Sequence, residues 1–172
     1  MSEIVPRWEW RTFGDDLGAA EERLAALEPE RVQDSDESYL LSRHSDASVK
    51  VRDGLMDVKR LEATNEDGLE QWRPVLKTEF TLSTDDLNVV LDALGLGADA
   101  RAVDVGKHRE HFTIDGCMTE LSTITTEAGS VRTIAIELED PTVVIATVRA
   151  LGLEGRENTC LARGLKAMLG FQ

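Results

Sequence analysis

Short runs of alternating charge hold the residues of this chain that could do chemistry. In RWEWR, residues 7–11, one side of an extended chain carries Arg7, Glu9 and Arg11 and the other Trp8 and Trp10, because successive side chains of a strand point to opposite faces. SVKVRD opposes Lys50 and Arg52 to Val49 and Val51, and MDVK opposes Asp57 and Lys59 to Met56 and Val58. QWRPVLKTEFTL sets Arg73, Lys77 and Glu79 against Trp72, Leu76, Phe80 and Leu82, while RTIAIELE sets Glu137 and Glu139 against Ile134, Ile136 and Leu138. Guanidinium and ammonium groups bind multiply charged oxyanions, Arg in bidentate fashion. Carboxylates among them offer the all-oxygen ligation that suits Mg2+ or Mn2+. The chemistry implied is the holding of a compact polyanion with its divalent cations.

Eight strands must position these residues: Ile4–Thr12, Ser38–His44, Ser48–Asp53, Met56–Leu61, Gln71–Leu82, Ala102–Ile114, Cys117–Thr126 and Ser130–Glu139. Asp53-Gly54 and Asp115-Gly116 are tight hairpin signals, and Gly129-Ser130 suits a further turn. Four helices punctuate them. The first, Asp15–Leu27, has Asp15 to cap it and Pro29 to stop it; the second, Asp85–Leu94, follows Ser83-Thr84-Asp85 and ends at Gly95. The third starts at Asp140-Pro141 and ends by Gly152, and the fourth spans Cys160–Leu169. The acidic stretch Glu28–Glu37 reads as a solvated connection. So many strands joined by tight turns argue for an antiparallel sheet that curls or closes.

An open sheet with its polar face in water would alternate in the same way. Two features favour closure around a guest. The polar face is built of Arg, Lys and Glu rather than Thr, Ser and Gln, and the bases concentrate on strands in a chain with 33 Asp and Glu against 19 Lys and Arg, net charge −14. Inward-facing charges are costly unless water, metal or a charged ligand compensates them. The acidic surface repels nucleic acid polymers. With 172 residues and 41% hydrophobic composition the chain reads as one domain over residues 1–172. No apolar run is long enough for a membrane span or a signal-peptide core, so the expected setting is the cytoplasm, away from membranes.

The order and spacing of these motifs resemble the CYTH superfamily, the triphosphate tunnel metalloenzymes, which include class IV adenylate cyclases, thiamine triphosphatases, inorganic triphosphatases and polyphosphatases. The likeness covers nearly the whole chain: RWEWR, Lys50-Val51-Arg52, Lys59, KHR at 107–109, ELE at 137–139 and a closing helix in NTCLARGLKAML. It implies an α+β fold, an eight-stranded antiparallel closed barrel with a charged lumen and helices packed outside. It also implies that Lys50, Arg52, Lys59, Lys107 and Arg109 bind phosphate; strand parity adds Arg7, Arg11, Arg73 and Lys77 to the basic set. Glu137 and Glu139 would hold Mg2+ or Mn2+, with Glu9 or Glu79 as further ligand or proton acceptor.

The chain departs from the family at its start, where Glu-x-Glu-x-Lys has become Arg7-Trp8-Glu9-Trp10-Arg11. A carboxylate lost and a guanidinium gained weaken a cation site and leave phosphate binding intact. Three readings therefore stand: a metal-dependent phosphohydrolase of inorganic triphosphate, short polyphosphate or an organic triphosphate; a non-catalytic polyphosphate or nucleotide binder; and an adenylate cyclase. A homodimer is compatible with each.

Other signals are weaker. His108 and His111 point opposite ways on a strand and form no zinc pair. Gly95-Leu96-Gly97 reads as a helix stop rather than a nucleotide loop. Trp8, Trp10 and Trp72 belong by parity to the core under the helices, and Cys117 and Cys160 read as buried thiols. Val103 and Val105 share parity with Lys107 unless Gly106 marks a bulge, and the faces of CMTELST do not sort, leaving Glu120 unplaced. Arg163 and Lys166 are either solvated charges or part of a lid over the tunnel mouth.

Overall fold

The computed structural model describes residues 3–80, 84–95 and 100–172. Its strands are β1 (Arg7–Gly14), β2 (Arg31–Ser42), β3 (Ser48–Arg52), β4 (Leu55–Thr64), β5 (Glu70–Glu79), β6 (Ala100–Ile114), β7 (Cys117–Thr126) and β8 (Gly129–Leu138). Its helices are α1 (Gly18–Ala25), α2 (Thr84–Leu94), α3 (Pro141–Ala150) and α4 (Leu161–Leu169). The strands close into an antiparallel barrel in the order β1-β5-β4-β3-β2-β6-β7-β8, the α+β architecture expected from the alternation. Thr81 and Leu82 of the expected fifth strand, the expected cap Ser83, and Leu96-Gly97 lie outside the described residues.

Turn chemistry fixes the register. Asp53 and Gly54 both take positive φ, as do Asp115 and Gly116, which is the twist a two-residue hairpin needs. Arg52 therefore pairs with Leu55, and Ile114 with Cys117. The β7–β8 turn falls on Glu127-Ala128 rather than Gly129-Ser130, since Thr126 pairs with Gly129 and Ser130 is already in the ladder. Asp140 caps α3 by accepting from the Thr142 amide at 2.9 Å, with Pro141 in the first turn. Helix α1 starts later than expected: Gly18 has φ 64 and its amide donates to Asp16 Oδ1 at 2.7 Å, so Asp15 caps nothing there.

Two elements differ from the sequence reading for physical reasons. The stretch read as a solvated connection is the first half of β2, which pairs with β6 from Arg31↔His111 to Ser42↔Ala100. Its outward residues Asp34 and Asp36 are exposed or half-exposed acids and its inward ones, Gln33, Ser35 and Glu37, are polar too, so no apolar stripe betrays the strand. In β5, Val58 pairs with Leu76 but Lys59 with Pro74, leaving Val75 as a bulge. A bulge exchanges the faces, so Arg73 and Lys77 point to opposite sides of the barrel wall. At Gly106 the ladder runs on without a bulge, so Val103 and Val105 face the same way as Lys107.

Packing divides into an outer and an inner core. Outside, α1 and α3 cover β1, β7 and β8 through Leu17, Leu24, Val144 and Val148 on Trp10, Leu121, Ile134 and Ile136, while α2 sets Val90 and Leu94 on Val49 and Val58. Inside, α4 sits in one end of the barrel, where Leu165 and the following Phe171 pack on the lumen-facing Tyr39, Leu41, Trp72, Val103, Val105 and Ile124. Each fully buried side chain of this size is worth about 1.5–3 kcal/mol. Trp72 thus belongs to the inner core and not under the outer helices, because it opposes Arg7 across β1–β5. Among the described residues no helix is long and apolar enough to cross a membrane.

Candidate functional site

The rest of the lumen is a cavity of about 720 Å3 lined by nine Lys and Arg and six Asp and Glu side chains, an excess of positive charge inside a chain of net charge −14. Of the residues singled out from the sequence, Arg7, Glu9, Arg11, Lys50, Arg52 and Lys59 line it. So do Lys77, Lys107, Arg109 and Glu137. Three others do not. Arg73 turns outward beyond the Val75 bulge and pairs with Glu62 at 2.6 Å. Glu79 ends β5 opposite Leu55 and is exposed. Glu139 shares parity with Glu137, but β8 stops at Leu138 and the chain turns at Asp140 into α3, leaving it exposed.

The hub of the cavity is a residue missed in the sequence, Glu37. Its side chain is fully buried and receives Lys107 Nζ at 2.7 Å, Arg52 at 3.2 Å and Arg109 at 3.4 Å. Tyr39 Oη donates to it at 2.8 Å and accepts from Lys107 Nζ at 2.6 Å. Burial pushes the Glu37 carboxyl up, but Lys107 beside it and Lys50 nearby outweigh that and bring it to about 2. Burial, aided by repulsion from Lys50 and Arg11, brings Lys107 down to about 7 despite Glu37. Burial and the Glu37 charge hold the Tyr39 phenol well above its ordinary range, so it acts as a neutral donor.

A second cluster spans β1, β7 and β8. Arg11 donates to Glu9 at 3.2 Å and to Thr133 Oγ1 at 3.0 Å, and lies 3.8 Å from Glu120. Burial opposes the Arg11 charge, but Glu9 and Glu120 outweigh it and hold the proton. Glu120 lines the cavity; burial pushes its carboxyl up, yet Arg11 and the Ser122 hydroxyl bring it below its usual range. Continuous β6–β7 pairing, with His111 opposite Glu120, settles the face that the sequence of β7 leaves unsorted. His111 is inward, while His108 points out to Asp34 at 2.7 Å.

Some donors are left over. Among the described residues Lys50, Lys59 and Lys77 have no hydrogen-bond or ion-pair partner, and burial pushes Lys50 below the ordinary lysine range despite Glu37. Arg109 spends its terminal nitrogen on Ser35 and Glu37, and its buried Nε is without a partner. Buried donors are normally satisfied, and the Arg109 Nε is the buried one left without a partner among the described residues. Lys50 and Lys59 are half-buried and Lys77 is exposed at the cavity edge, so together they line a place where an acceptor-rich guest would fit. The cavity can take up several anionic oxygens at once.

The acidic side is sparser. Glu9 opposes Glu137 across β1–β8, and burial, then the Glu9 charge, push the Glu137 carboxyl up. A cation would relieve that repulsion, and two carboxylates suit a hard ion that keeps water and phosphate oxygens as its other ligands. Arg11 on Glu9 and Arg7 on Glu137, each at 3.2 Å, presently share that role. Among the described residues no group of three or more His, Cys, Asp or Glu is placed to hold a metal.

No family model matches this chain, and no curated protein does. Solved structures do. A candidate adenylyl cyclase from Hippeastrum, described as having a dominant triphosphatase activity, is 12% identical, with TM-score 0.59 over 96% of this chain and 97% of its own. A conserved hypothetical protein from Pyrococcus furiosus is 17% identical, with TM-score 0.54 over 91% of this chain and 98% of its own. A candidate adenylate cyclase from Bacillus halodurans is 8% identical, with TM-score 0.50 over 91% and 95%. At these identities the likeness is one of fold.

Proposed function

Starting from a chain with the tunnel fold of the CYTH superfamily, we propose that the lumen binds a triphosphate or short polyphosphate and hydrolyses its terminal phosphoanhydride. The observation that carries this reading is the set of lumen cations without hydrogen-bond or ion-pair partners among the described residues, Lys50, Lys59, Lys77 and the Arg109 Nε. Charge-assisted hydrogen bonds from such groups are the strong ones, and Arg and Lys spread over the oxygens stabilise the charge that builds up in phosphoryl transfer. Lys107 and Arg52, poised on Glu37, add donors that can be shared with the guest.

In the reaction, water attacks the terminal phosphorus, the bridging P–O bond breaks, and the leaving phosphate keeps the electron pair. Glu9, which lines the cavity, would take the water proton in this reading rather than the exposed Glu79. Glu9 and Glu137 would hold a Mg2+ or Mn2+ ion, which when bound neutralises phosphate oxygens. The test is orthophosphate release from tripolyphosphate with Mg2+ or Mn2+, and absence of turnover with any divalent ion rejects hydrolysis. The second reading, a binder without turnover, draws on Arg7, whose guanidinium lies on Glu137 at 3.2 Å where a cation would compete. Calorimetry on Arg7→Glu separates the two: a binder loses polyphosphate affinity, whereas a weakened enzyme gains metal affinity.

A further inference from the structure

Among the described residues one end of the barrel is filled by α4 and the other leads into the cavity. At the mouth, Ile4, Arg31, His111 and Met118 edge the cavity, while Cys160, Leu161 and Ala162 at the start of α4 line it from the far side. Beyond them the bore is filled. Leu165 is fully buried against the inward apolar residues of β2, β6 and β7, and Phe171 is buried in the same cluster.

The plug is seated tightly and tied down. A Cβ built on Gly164 would come within 2.2 Å of the Phe13 ring, so the helix backbone lies directly on an inward side chain of β1. Lys166 gives its three donors to Ser42 O at 2.9 Å, Ser45 O at 3.1 Å and Asp46 at 2.7 Å. Arg163 joins Asp46 at 3.0 Å and Glu70 at 2.5 Å. The expectation of solvated charges for these two residues is therefore corrected: they pin α4 to the β2–β3 connection and to β5. Lys166 spends every N–H it has and is itself buried. An element held this way is part of the wall.

We infer that the lumen is a blind sac that takes its guest end-on, so that it recognises the free terminal phosphates of a linear chain and never its interior. The inference rests on the polyphosphate reading above and sharpens its substrate class. In a bore open at both ends a long chain could thread through and make more contacts as it lengthened. In a sac the terminal units fill the site and the remainder of the chain stays outside the bore, beside a protein of net charge −14. Affinity then stops rising once the sac is full, and each long chain offers two sites, one per end.

Isothermal titration calorimetry on the full chain tests this with tripolyphosphate and with long linear polyphosphate whose ends are free, singly capped or doubly capped by bulky phosphoramidates. The expected result is that tripolyphosphate binds, that free-ended chains take two protein molecules and singly capped chains one, and that doubly capped chains take none. Undiminished binding of the doubly capped chain, or a number of proteins bound that grows with chain length, overturns the blind sac while leaving the polyphosphate reading standing. Failure of tripolyphosphate itself to bind overturns both.

Discussion

The two halves of the lumen are built on the same strands and solve opposite problems. Towards the mouth, β2 and β6 present Glu37, Lys107 and Arg109, held by charge pairing. A few residues along the same strands, Leu41, Val103 and Val105 meet α4 and are held by apolar contact. The apolar half is complete in itself, for it brings its own partner. The charged half is not, for several of its donors await acceptors. A barrel of this size can keep charges inside because one end supplies ordinary hydrophobic stability while the other spends some of it on an electrostatic site.

Changes in the charged half can break this contrast most forcefully. Glu37→Gln leaves Lys107, Arg52 and Arg109 without their shared anion, and removing one member of a buried ion cluster costs about 3–5 kcal/mol. Urea denaturation should show that loss, and added tripolyphosphate should restore much of it by supplying a replacement anion. An unchanged midpoint would mean that Glu37 is not the hub. In the apolar half, Gly164→Leu forces Phe13 aside, at a cost of about 1–3 kcal/mol for overpacking. The same denaturation measurement, without rescue by tripolyphosphate, distinguishes this wall from the site.

Proton linkage sharpens the comparison further. Lys107 faces Glu37 and Tyr39 from β2, Lys50 from β3 and Arg11 from β1. Its folded pKa of about 7 lies below the unfolded value, so between about 7 and the ordinary lysine value near ~10.4 the unfolded chain binds more protons, and stability rises with pH across that window. A polyanion favours the protonated lysine. Tripolyphosphate binding should therefore take up a proton near neutral pH and weaken by up to about 10-fold per pH unit above it. Calorimetry in buffers of different ionisation enthalpy reads the uptake directly, and Lys107→Met should abolish it. The smallest effect falls outside the lumen: Arg73→Ala, on a surface pair, should change stability by less than about 0.5 kcal/mol and leave tripolyphosphate affinity alone. Lys77→Ala, two strand positions beyond the bulge, should cost affinity on the order of 10-fold.

Parity made most of the barrel legible. Trp10, Val49, Val58 and Ile136 reported an apolar outer face, and ten of the thirteen charged residues singled out by parity or by the family resemblance line the cavity. What parity missed has physical causes. The Val75 bulge is one inserted residue in an ordinary run and reverses the face of Arg73. Glu139 lies past the end of its strand, where alternation no longer applies. Glu37 was hidden because a strand polar on both faces has no hydrophobic period to detect; the signal available was the basic KHR segment of β6, whose Lys107 and Arg109 reach Glu37 diagonally across the β2–β6 ladder. The inner core was hidden for the converse reason: Val103 and Val105 follow the lumen's parity, and only knowledge of what fills the bore makes apolar residues there sensible. The high apolar content of LARGLKAML, with glycine at its centre, was the trace of that filling.

The order of the strands also bears on how the chain is made. β1, synthesised early, finds its neighbours only in β5 and β8, so residues 7–14 must wait, unpaired on the last side, until residue 138 has left the ribosome. A nascent chain released before that point would expose the open edges of β1 and of its last completed strand, and such edges recruit other strands. Truncated products of this protein should therefore be aggregation-prone substrates for chaperones and proteases, unlike the closed barrel, which has no open strand edge.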